Sequence, residues 1–113
     1  MSKYQCRPFN EDELVRQIGM MNVFAISGGH VGVIKNNDGE TVEVELKVGK
    51  GYRVCITLNF WDTWTVRREY VRNGKVFDKG VIEDVYYDMV GEVAYQASLF
   101  ISNPDFGKKV EAN

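Results

Sequence analysis

One histidine and two cysteines, with sixteen acidic side chains, are the main raw material for chemistry in this 113-residue chain. Nucleophilic catalysis needs a serine, cysteine or threonine activated by a nearby base. The single histidine, His30, lies in Gly28-Gly29-His30-Val31-Gly32, where a polar residue beside a turn accounts for it. Cys55 falls in the middle of an alternating apolar segment and reads as a structural thiol. Ser27-Gly28-Gly29 could offer backbone N–H groups to an anion. No clear helix start follows it, so neither the phosphate-loop nor the dinucleotide fingerprint is met. Cys6 and Cys55 form no CxxC pair, and one histidine excludes the usual Cys/His zinc spacings. Glu43 and Glu45 share one face of a strand, and Asp88 and Glu92 are four apart on a helical pattern. Solvated faces explain both pairs without paired-carboxylate chemistry. The chain reads as a non-enzyme with no cofactor and no metal site.

What remains concerns binding. Phe60-Trp61-Asp62-Thr63-Trp64 sets three aromatics at and beside a turn. Turns run over the surface, and exposed aromatic clusters mark interaction sites. The plain alternative is that Trp64 faces inward while Trp61 folds over the sheet edge. Arg67, Arg68, Arg72, Lys75 and Lys79 concentrate positive charge on the following hairpin. Rings plus cations suit a single-stranded nucleic acid, whereas cross-strand ion pairs would make the same hairpin ordinary. The candidate partner-binding residues are therefore Phe60, Trp61, Trp64, Arg67, Arg72 and Lys75. Arg68 is out of place: it is in phase with Trp64, Val66 and Tyr70. Either a bulge shifts the phase, or Arg68 sits at the sheet rim with its stem buried.

These residues need a scaffold, and the scaffold is legible. In Thr41–Val48 (TVEVELKV), Val42, Val44, Leu46 and Val48 alternate with Glu43, Glu45 and Lys47. A period of two gives a strand with one oily and one wet face, which is typical of antiparallel sheets. Tyr52–Asn59 repeats the pattern, Thr63–Arg72 and Lys75–Val81 follow, and Asn36–Gly39, Gly49–Gly51 and Asn73-Gly74 supply turns. Val23–Ser27 and His30–Ile34 read as two short strands about Gly28-Gly29, or one strand with a glycine bulge. The count is five or six strands in a meander. Before them, Asn10 caps a short helix, with Glu13 three residues on and Gly19 as its stop. After them, Glu83 to Ile101 reads as a long helix with a wide apolar face, halted by Ser102-Asn103-Pro104.

The expected architecture is α+β: a short N-terminal helix, an antiparallel meander and a long C-terminal helix across one face. The chain reads as a single domain over 1–113, with a loose leader over Met1–Arg7, an ordered core over about 9–102 and a flexible tail over 103–113. Apolar content of 44%, charge of 27% and a net charge of −2 fit a globular protein and argue against a strongly basic nucleic-acid binder. No apolar run approaches a membrane span, and the N-terminus lacks a signal-peptide core. A cytoplasmic protein with two reduced thiols is the expectation.

Five segments in order, Gln17–Gly29 (QIGMMNVFAISGG), Gly51–Asn59 (GYRVCITLN), Asp62–Val71 (DTWTVRREYV), Gly74–Gly80 (GKVFDKG) and Val85–Phe100 (VYYDMVGEVAYQASLF), resemble a group of small uncharacterised bacteriophage proteins. That group is found especially in phages of actinobacteria and in related mobile elements. The resemblance spans roughly Glu11 to Phe100 and carries no catalytic residues. It implies work inside an infected host, by binding a host or phage protein rather than by catalysis. A free strand edge could also pair two copies into a homodimer.

Overall fold

The computed structural model describes residues 6–108. Its elements in chain order are α1 (Glu11–Ile18), α2 (Met20–Ser27), β1 (Gly32–Lys35), β2 (Thr41–Gly49), β3 (Tyr52–Leu58), β4 (Trp64–Arg72), β5 (Lys75–Val85) and α3 (Val90–Ser98). The strands form one antiparallel sheet in the order β1-β2-β3-β4-β5, so the expected α+β meander is present with five strands.

α1 starts as its sequence dictates. The Asn10 side chain accepts from the Glu13 N–H at 3.1 Å, and three acidic residues occupy the first turn. Gly19 ends it, with φ at 89° and its N–H donating to Val15 O. The chain then does not become a strand. Val23–Ser27, expected in the sheet, belongs to α2, which buries Val23 and Ile26. The β-favouring valine, phenylalanine and isoleucine were outweighed by a position that offers a helical stripe a core to cover. Gly28, in the left-handed region, caps this helix through Phe24 O rather than turning a hairpin.

The expected long helix from Glu83 is also corrected. β5 continues to Val85, which pairs with Trp64, and α3 spans only nine residues from Val90. Two register shifts on the β4–β5 ladder stretch β5 to this length. The second lies beside Asp84, whose φ of 57° no α-helix accommodates. Tyr86 and Met89, expected on an apolar helical face, are exposed.

The oily side of the sheet carries Val44, Leu46, Val54, Ile56 and Val66, all fully buried. Each contributes about 1.5–3 kcal/mol relative to exposure. The cover is shared: Leu14 and Ile18 from α1, Val23 and Ile26 from α2, and Val90, Ala94 and Ala97 from α3. Gly91 lets α3 close on the other helices rather than on the sheet. A Cβ there would collide with the Ile18 carbonyl oxygen and crowd Asn22 Nδ2.

The tail expected to be flexible from 103 is instead docked over its first residues. Phe106 is buried in the core. A Cβ on Gly80 would meet the Phe106 carbonyl, so the glycine permits that approach. Residues 109–113 lie outside the described residues, as do residues 1–5 of the expected leader. Arg7, at the end of that leader, bridges to Leu58. Among the described residues, no helix is long and apolar enough to cross a membrane.

Candidate functional site

Of the six residues expected to form one binding surface, two are on the surface at one end of the sheet. Trp61 is 83% exposed and Phe60 59%. They sit in the β3–β4 loop, which one residue organises. Asn59 Oδ1 accepts from the N–H groups of Trp61 at 2.8 Å and Thr63 at 3.2 Å, and Asn59 Nδ2 donates to Thr63 Oγ1 at 2.7 Å. The ring is thus presented on a fixed backbone. Trp64 turns inward as the alternation requires. It donates from Nε1 to Gln17 Oε1 at 2.8 Å and meets Phe9 edge-on.

Arg72 and Lys75 are exposed, but they flank the Asn73-Gly74 turn at the opposite end of β4. Eight strand steps separate Trp64 from Arg72, about 27 Å. The aromatic and basic halves of the expected surface are therefore not one site. Arg67 belongs to neither half, because it is buried on the far face of the sheet.

The aromatic end has a second wall that the sequence pattern concealed inside a supposed helix. The segment after β5 exposes Tyr86, Tyr87 and Met89. It adjoins the Trp61 loop through the Trp64–Val85 pair and a 3.2 Å hydrogen bond from Thr63 Oγ1 to Asp84 Oδ1. Asp62 and Asp84 both hold left-handed backbone, which aspartate tolerates better than most residues. Arg7 is ion-paired with Asp62. Consecutive tyrosines following a strand, as in Val85-Tyr86-Tyr87, were the available signal.

The opposite face of the sheet, expected to be wet, holds a buried polar network. Arg67 Nη2 donates to Glu43 Oε1 at 2.9 Å and its Nε to Glu69 Oε2 at 3.3 Å. Arg53 bridges Glu69 at 2.9 Å and Glu45 at 3.2 Å. The Cys55 thiol donates to Glu69 Oε1 at 3.3 Å. Burial opposes the charge on Arg67, but its hydrogen bond and attraction to Glu43 prevail and hold its pKa above the ordinary value. Burial pushes the Cys55 thiol up, and the carboxylates of Glu69 and Glu43 push it further.

Donor atoms of Glu43, Glu45 and Cys55 lie within 4.8 Å of one another, a spacing that a metal ion could use. Yet Arg67 and Arg53 already neutralise the two carboxylates, and the thiol is held protonated, whereas a ligand must be thiolate. The network closes on itself as a structural device.

No family model, no curated protein and no solved structure matches the chain. The docking surface is therefore argued from the site's own geometry.

Proposed function

We propose that this chain is a non-enzymatic phage accessory protein that binds another protein inside the infected host, docking through the end of the sheet formed by residues 59–63 and 83–89. The supporting observation is Trp61, a large ring 83% exposed on a loop whose backbone three Asn59 hydrogen bonds hold in place. A loop backbone already held in place loses little entropy on docking, and tryptophan dominates interface hot spots. The phage context rests on the resemblance of the five segments quoted above.

Trp61→Ala should leave the fold intact and reduce recovery of the partner from infected-cell lysate, read by quantitative mass spectrometry. Equal recovery by the variant and the parent rejects this surface. A role in binding single-stranded nucleic acid has weaker support. Arg67 and Arg68, at the centre of the basic hairpin, are 3% and 2% exposed. No mobility shift of a labelled oligonucleotide at low salt would dispose of that alternative.

A further inference from the structure

We infer that the aromatic end engages its partner through a lysine- and arginine-rich segment; this rests on the docking surface proposed above and names the chemistry of what docks. The rings at this end, Phe60, Trp61, Tyr86 and Tyr87, are all more than half exposed. Among them the chain places Glu83, Asp84 and Asp88, all exposed. Among the described residues none of these three makes an ion pair. No basic residue occurs between Val81 and Asn103. Asp62 is the one carboxylate of this end already matched, by Arg7. Rings beside unmatched carboxylates suit a guanidinium or ammonium group, which is drawn to the ring face and to the charge together.

The far end of the molecule has the opposite character. Lys50 lies in the β2–β3 turn, and Arg72 and Lys75 flank the β4–β5 turn, all exposed. A partner bearing positive charge is therefore steered toward Trp61 and away from the other end. A phosphate backbone is steered the other way, which separates this surface from nucleic-acid binding.

Two measurements test the inference on the full chain. The first titrates a short peptide alternating arginine and glycine, with a glutamate–glycine peptide as control, and follows Trp61 and Tyr87 by NMR. The arginine peptide should shift both residues and the glutamate peptide neither. Trp61→Ala, and separately a Glu83→Gln, Asp84→Asn, Asp88→Asn triple variant, should each weaken binding at least about tenfold. Arg72→Gln with Lys75→Gln should weaken it less than about twofold, because those charges are a sheet length away. Binding indifferent to Trp61 and to the three acids overturns the inference.

The second measurement places a photo-crosslinking phenylalanine analogue at position 60, which keeps a ring there and leaves Trp61 intact, in infected cells and sequences the attached partner segment. A segment rich in lysine and arginine supports the inference. A neutral or acidic segment overturns it while leaving the docking surface standing. Absence of any crosslink above an unirradiated control, together with full partner recovery by Trp61→Ala, removes both.

Discussion

Arg67 and Arg68 are neighbours in one strand, equally buried, and they satisfy their charge by opposite means. Arg67 points to the far face and is neutralised by the carboxylates of Glu43 and Glu69. Arg68 points into the core. It donates to the Ala97 carbonyl at 2.7 Å and the Asn103 carbonyl at 2.7 Å, with longer bonds to Gln96 O and Pro104 O. Its guanidinium also lies 5.2 Å from the centre of the Phe106 ring. It has no carboxylate partner in these contacts, and burial lowers its pKa from the ordinary value against an opposing pull from Tyr52. Carbonyls at a helix C-terminus carry a partial negative charge and lack intrahelical partners. Arg68 is therefore the clasp that joins the end of α3 and the following segment to the sheet. A buried cation needs oxygen atoms, and the chain supplies charged ones on one face and backbone ones on the other.

The comparison predicts unequal damage. Arg67→Met leaves the buried Glu43 carboxylate without its cation, while Glu69 keeps Arg53, and should cost about 3–5 kcal/mol in denaturant unfolding. Replacing Glu43 by glutamine in that variant should recover part of the loss. Arg68→Met strands carbonyls but no charge, and should cost about 2–3 kcal/mol. If the two losses came out reversed, carbonyls would be the more demanding partners and the contrast would fail. Hydrogen exchange sharpens the point: Arg68→Met should deprotect α3 selectively, whereas Arg67→Met should loosen β2, β3 and β4 together.

A smaller effect reports on the closure of the Arg67 network. The ordinary Cys55 pKa is 9.0, and the folded thiol is pushed above it, first by burial and then by Glu69 and Glu43. The unfolded chain ionises first, so this contribution to stability is complete below pH 9 and is lost as pH rises from there toward the folded value. Cys55→Ala should flatten the alkaline fall in stability relative to the parent. Parallel curves for the two proteins would mean the thiol is not held by the network. Smallest of all, Trp61→Ala should change stability by less than about 0.5 kcal/mol, read from the denaturation midpoint. Its ring lies outside the packing that both arginines complete.

The strand alternation of Thr41–Val48, the Asn10 cap and the Asn73-Gly74 turn were local signals, and local signals fixed most of the sheet. Two misreadings share one cause. Val23–Ser27 and Val85–Tyr87 are short apolar runs for which propensity and period do not discriminate, so tertiary context decided between helix and strand. In the first, Gly19 restarted a helix. In the second, the register shifts on β5 carried the strand past Glu83. The candidate site was half legible. Trp61 was exposed as its turn implied, while Tyr86 and Tyr87 were hidden by the helix assignment. Counting Arg67 and Arg68 as surface charge failed because composition says nothing about which face a strand turns toward its neighbours. The phase that put Arg68 with Trp64, Val66 and Tyr70 was right, but neither a phase-shifting bulge nor a rim position explains it: its guanidinium is buried against carbonyls some 28–36 residues later in the chain, beyond any local pattern.

The Arg68 clasp also sets an order of events during synthesis. The sheet up to β5 is complete in sequence before residues 96–104 exist, yet until they emerge from the ribosome a central strand carries a guanidinium with none of its backbone acceptors. Nascent chains halted before Asn103 should therefore stay soft and protease-sensitive, hardening abruptly once that last stretch is released.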